Sequence, residues 1–378
     1  MTRSYYFAGN ETVGAYVRGI MQEHEWLCEG EPEDAEVIIT YFTSTTALED
    51  AYFAGNGLIK RAMPKTLLID LSANTPTFAR ELAAVAQVND MRPVESPIVM
   101  LDTAVDDAFA DKANIASFVA GDKADVEAAT EVLELLIGNA QIMGAAGSAQ
   151  LARAALTVQV TAQIVAAVEA DALFRAVQND PSSEGDIDGH VGAASPYAEQ
   201  VLSAVVEKRF SGSYTIEIFL GEVSAAMTAA DDIELVLPQL EVGMRVLELL
   251  AVIGGIDMAP AALGLLYRGE DEVREAGLDW SRANDYYSRD ANDEFDDCDD
   301  VFDDGADDGA GHGRGHDHEC CGGHDHGHGH DHECTCGHDH ACDHGDARAY
   351  SQEGDGAAFD DYDDGYRSYS EDFFSGRI

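Results

Sequence analysis

Short apolar runs of strand length alternate with helical stretches over the first 147 residues, and that alternation leaves few folds open. Residues 4–8 form an aromatic, strand-like run, 9–14 a turn and 15–23 a helical stretch. Residues 26–28, 35–42, 67–71, 96–100 and 115–120 read as further strands, with helical stretches at 75–86 and 122–136. The run 67–71 is almost continuously apolar, as a strand buried on both faces should be. The expectation is a doubly wound parallel sheet over residues 1–147.

The pattern changes after Gly147. Residues 148–177 contain no Gly or Pro, and Leu151, Ala155, Val158, Ala162 and Val165 recur at three- and four-residue steps. The other faces of this stretch are also largely apolar, which predicts a long buried helix joining two domains. Residues 196–207, 216–230, 238–253 and 260–276 read as more helices, so residues 148–284 form an all-helical domain. Past Trp280 the periodic apolar signal stops and Asp, Gly and His dominate. Residues 285–378 are expected to be a disordered tail, because they bury too little apolar surface to offset chain entropy.

Charge narrows the function classes. The chain carries 22 Lys plus Arg against 72 Asp plus Glu, a formal charge of −50, which argues against a nucleic-acid partner. The tail holds 28 of those acids, 11 of the 13 His and 6 of the 7 Cys. The first residues lack the apolar stretch of a signal peptide, and the apolar segment 247–267 is broken by Glu248, Asp257 and Pro260. We therefore expect a cytoplasmic protein with no membrane partner and with reduced thiols. Cys28, on a strand, reads as a core residue.

The tail repeats itself: Gly-His-Asp-His begins at 315, 323, 329 and 337. The candidate metal ligands are His316, His318, Cys320, Cys321, His324, His326, His328, His330, His332, Cys334, Cys336, His338, His340, Cys342 and His344. Imidazole nitrogen and thiolate sulfur suit zinc or nickel rather than calcium or magnesium. No single spacing stands out, so several exchangeable sites are expected.

Four segments resemble the β-hydroxyacid dehydrogenase family, which includes 3-hydroxyisobutyrate dehydrogenase and is related to 6-phosphogluconate dehydrogenase. They are Phe7-Ala-Gly-Asn-Glu-Thr-Val-Gly14, Ile69-Asp-Leu-Ser-Ala-Asn-Thr-Pro76, Val94-Glu-Ser-Pro-Ile98 and Gly144-Ala-Ala-Gly-Ser-Ala-Gln-Leu-Ala-Arg153. The resemblance covers roughly residues 4–282. It implies a Rossmann-like N-terminal domain, an all-helical C-terminal domain, NAD or NADP as cofactor, a small organic acid as substrate and a homo-oligomer.

It also assigns positions. Gly9 and Gly14 fill the first and third places of the dinucleotide turn, while Glu11 stands at the second, where bulk and charge would meet a diphosphate. Glu29 is either the ribose acid or a solvated loop acid, and Ser72 falls on the cofactor side. The family's catalytic Lys and Asn align with Arg153 and Thr157, its Ser-Gly-Gly with Val99-Met-Leu101 and a second Lys with Gly221. A guanidinium cannot shuttle a proton near neutral pH, so Arg153 either holds an anion or pairs with an acid. Two readings stay open: a divergent NAD(P)-dependent dehydrogenase with altered chemistry, or a non-catalytic scaffold whose tail stores or delivers nickel or zinc.

Overall fold

The computed structural model describes residues 3–178, 192–284 and 286. The first half is an eight-stranded sheet with helices on both faces. Its strands are β1 (Ser4–Gly9), β2 (Leu27–Cys28), β3 (Val37–Tyr41), β4 (Leu67–Asp70), β5 (Arg92–Glu95), β6 (Ile98–Met100), β7 (Ile115–Gly121) and β8 (Asn139–Gly144). The helices of this half are α1 (Glu11–Glu23), α2 (Thr45–Phe53), α3 (Leu58–Arg61), α4 (Pro76–Val88) and α5 (Lys123–Leu136). Alternate residues of one strand serve opposite faces: Ile39 and Ile69 pack with Val13, Val17 and Leu133, whereas Ile38 and Leu68 pack with Leu48, Phe78 and Leu82.

The sheet is mixed where a fully parallel one was expected. Strands β2-β1-β3-β4-β5 run parallel, but β7 pairs antiparallel with both β5 and β6. Residues 101–114 contain no crossover helix, only a short 3-10 turn, so the chain returns from β6 to β7 in the opposite direction. Strand β8, absent from the sequence reading, adds parallel to β7. The expected strand 96–100 begins later, at Ile98, and β5 precedes it.

Between β2 and β3 there is only a 3-10 turn, Pro32–Asp34. Strand β2 is two residues long and exposed, so Cys28 is an edge residue with an exposed thiol and not the core residue expected.

The second half is built on α6 (Ser148–Gln178) with α7 (Pro196–Val206), α8 (Ile216–Asp231), α9 (Pro238–Leu250) and α10 (Glu270–Glu275). Helix α6 is long and apolar enough to cross a membrane by length and composition. Ile164 and Val168 bury one side of it, but Leu151, Leu173 and Val177 are exposed, so it is half-buried rather than enclosed. The helices expected at 238–253 and 260–276 are interrupted. Helix α9 ends in a π turn with Gly254 at φ 111°, and residues Pro260–Tyr267 are 3-10. One core runs through both halves, joining Tyr41, Ile98 and Met100 to Val160, Ile164, Tyr197 and Phe219.

Candidate functional site

The turn after β1 has the backbone of a dinucleotide turn. Gly9 adopts φ 135°, and a Cβ there would run into the carbonyl of Tyr41. A Cβ on Gly14 would come within 2.7 Å of the Phe7 ring, so glycine permits α1 to lie close on β1.

The donors at this turn are already engaged. Asn10 caps α1, its Oδ1 accepting from Thr12 N at 3.0 Å and Val13 N at 3.3 Å. These first-turn amides are the ones a diphosphate would use. Glu11, by contrast, is exposed and paired with Arg18 along the outside of α1. The obstacle that the sequence placed at Glu11 therefore lies at Asn10. An Asn directly before a helical run is a strong N-cap signal, and reading it as one would have found this.

The remaining cofactor-side residues are not gathered around that turn. Glu29 follows the Tyr5–Cys28 pair, so it lies level with Tyr6, three residues short of Gly9, or about 10 Å along a strand. Ser72 is buried after β4, donating to Asp70 Oδ1 at 2.6 Å and accepting from Phe42 N at 2.9 Å. The backbone thus fits a dinucleotide turn, but the side-chain and amide donors do not fit a tight dinucleotide seat.

Arg153 and Thr157 do come together with residues from elsewhere. Arg153 is buried, and its Nε donates to Ile98 O at 2.9 Å while Nη1 donates to Thr157 Oγ1 at 2.6 Å. Its Nη2 forms an ion pair with Glu222 of α8, itself buried. Tyr214 completes the cluster, its hydroxyl donating to Glu222 Oε2 at 2.6 Å. Burial works against the charge on Arg153, but Glu222 and Tyr214 hold the guanidinium above its ordinary range. Burial, then Glu222, pushes the Tyr214 and Tyr41 hydroxyls far above theirs. Each nitrogen of Arg153 has an acceptor, and the carboxylate at its head is itself engaged by Tyr214. The sequence reading missed Glu222 and Tyr214, although Glu222 directly follows Gly221.

Gly221 shows why no lysine stands in its place: a Cβ would strike the carbonyl of Thr43. The β3–α2 loop therefore lies against α8, and Thr43 Oγ1 donates to Glu217 Oε1 at 3.1 Å. Val99 and Met100 are buried in apolar packing. A groove of about 520 Å³ beside this loop is lined by Thr43, Ser44, Glu217, Gly221 and Ser224, and Arg153 does not reach it.

Comparison with known proteins agrees with this architecture. The profile of the NAD binding domain of 6-phosphogluconate dehydrogenase matches residues 19–144, beginning just after the Gly9–Gly14 turn. An uncharacterized oxidoreductase, YkwC of Bacillus subtilis, is 23% identical over 222 residues, 59% of this chain and 75% of that protein. A probable 3-hydroxyisobutyrate dehydrogenase of Mycobacterium bovis is 31% identical over 137 residues, 36% of this chain and 44% of its own length. The solved 3-hydroxyisobutyrate dehydrogenase of Mycobacterium tuberculosis, with L-serine, superposes with a TM-score of 0.53 at 19% identity, covering 71% of this chain and all of that one. Residues 19–144 thus match the NAD binding domain of 6-phosphogluconate dehydrogenase, and the body shares the fold of a solved 3-hydroxyisobutyrate dehydrogenase.

Helix α6, on which the resemblance places the family's catalytic lysine, carries Arg153 locked to Glu222 of α8. Among the described residues no group of three or more His, Cys, Asp or Glu is placed to hold a metal. The tail ligands from His316 to His344 lie outside the described residues.

Proposed function

We propose that this chain no longer carries out hydride transfer on 3-hydroxy acids, and that its body serves as a folded scaffold for a metal-binding tail. The observation that carries the first part is the buried Arg153–Glu222 pair, which fills the family's acid/base position with two charges that neutralise each other. The family's NAD-binding domain argues for retained affinity for NADH or NADPH, and the Asn10 cap argues that this affinity is weak.

Titration of the purified chain with NADH, followed by nucleotide fluorescence, tests the second point. Asn10→Ala frees two amides at about 1 kcal/mol of cap energy and should tighten NADH about fivefold. Glu11→Gly should gain less, because Glu11 is exposed and paired with Arg18. Tight binding by the unaltered chain, or a larger gain at Glu11, would overturn this reading of the turn.

The tail carries the binding activity. Its imidazoles and thiols should take up several equivalents of zinc or nickel. Uptake should weaken as pH falls through the imidazole range near ~6.5, because each ligand must lose its proton. Calorimetry under reducing conditions checks this: no metal-dependent heat at neutral pH would reject the tail's role. Equal binding after deletion of residues 285–378 would move the site into the body.

A further inference from the structure

Asp70 and Glu95 end neighbouring strands, and the parallel register of β4 and β5 sets them directly opposite each other. Both are buried. Asp70 is fully supplied with donors: Oδ1 accepts from Ser72 Oγ at 2.6 Å, Ser72 N at 3.0 Å and Thr40 Oγ1 at 3.0 Å, and Oδ2 from Asn74 Nδ2 at 2.7 Å. Glu95 is served on one side only. Its Oε1 accepts from Gly147 N at 2.7 Å and Ala149 N at 3.2 Å, where α6 begins. Its Oε2 is buried without a partner.

Both carboxyl residues line a small cavity of about 20 Å³, walled by Tyr52, Gly121 and Ala146 among others. That is room for one water. A bare carboxylate oxygen is costly there, beside a second carboxylate, whereas a hydroxyl in the same place could donate to such a water.

We propose that Asp70 and Glu95 form a proton-binding pair, holding one proton on Glu95 Oε2 through a water in their shared cavity, and so couple protonation to the seating of α6 on the sheet. The proton comes from solvent and returns to it. Burial lifts Asp70 to about 6, but its four donors oppose that rise, so Asp70 gives up its proton before Glu95 does. The groups facing the pair are Arg80 of α4, which favours ionised Glu95, and the Tyr52 and Tyr41 rings of α2 and β3 near Asp70. The β7 side offers only Ala120 and Gly121, and the loop entering α6 offers Ala146. Burial, against the pull of the two amides and with Asp70 adding to it, lifts Glu95 to about 7.

The direction of the coupling follows. Local opening hydrates Glu95 and returns it toward its ordinary 4.5, so the closed form binds the proton more tightly. The seat of α6 is firmest below that ordinary value, loosens as pH rises, and levels off above about 7.

Amide hydrogen exchange on the full chain tests this. Protection factors at Gly147 and Ala149 should fall by about tenfold per pH unit from pH ~5 to ~7, then level. Glu95→Gln, which mimics the protonated form, should abolish the fall between pH ~6 and ~7, leaving only the dependence below about 6 that Asp70 carries. Carbon-13 titration of the Glu95 carboxyl in the unaltered protein should show a midpoint near neutrality, and this measurement decides the matter alone if the variant fails to fold. A Glu95 carboxyl that titrates with the surface acids, or the same pH profile in Glu95→Gln, would overturn the proposal.

Discussion

Arg153→Ala should destabilise the protein by about 3–5 kcal/mol, because it strands a buried carboxylate. Glu222 is left facing Tyr214 in a site from which water is excluded, and Ile98 O and Thr157 Oγ1 lose their donor at the same time. Removing both charges is a different experiment. Arg153→Met with Glu222→Leu keeps the volume apolar and should recover most of the loss, because neither charge then needs desolvation. Arg153→Lys should fall between the two, since an ammonium is a point donor and cannot reach three acceptors as the planar fork does. Denaturant midpoints at constant slope measure all three. A loss below about 1 kcal/mol for Arg153→Ala would place the pair among solvated surface bridges, and the closure of the family's catalytic position would have to be abandoned.

The second large effect is on activity. Neither the unaltered chain nor Arg153→Lys should turn over a 3-hydroxy acid with NAD or NADP above the enzyme-free rate. Groups that act as a unit fail together, so one restored member does not rescue the others. The packing adds a further reason. The ammonium introduced by Arg153→Lys would sit against Glu222 as an ion pair rather than as a free base. Restoring the second lysine by Gly221→Lys would drive its Cβ into the Thr43 backbone and cost about 1–3 kcal/mol of overpacking. Absorbance of the reduced nucleotide reads the rate directly. Turnover by the unaltered chain would show that other residues have taken over the chemistry, with the groove beside Thr43 as the place to look.

Elements with strong local periodicity were legible in the residues alone. Helix α5 and strand β4 fall within a residue or two of their expected bounds, since repeated apolar spacing over several turns or a continuous apolar run is a local property. Helix α2 and strand β8 were not legible. The alternation in β8 is weak and half-exposed, and only its pairing with β7 makes it a strand. The segment Pro260–Tyr267 is apolar on every side, so its sequence carries no helical face to read, and packing turns it into 3-10 helix.

Readable in the sequence by itself were the resemblance to the β-hydroxyacid dehydrogenases, a strand-then-helix order along the body, and the positions, Arg153 and Gly221, at which that resemblance expects lysines. Each of those rests on residue type at a known spacing. Only the tertiary structure decided what the replacements do. Arg153 could have held an anion or an acid, and the packing of α8 against α6 brings Glu222 and not open solvent to its fork. The obstacle at the turn passed from Glu11 to Asn10 once the cap showed which side chain faces the helix amides. Asp70 and Glu95 became neighbours through strand register. These outcomes depend on which distant segments meet in a dry interior, where an unpaired charge costs far more than it does in water, and no local pattern records that meeting.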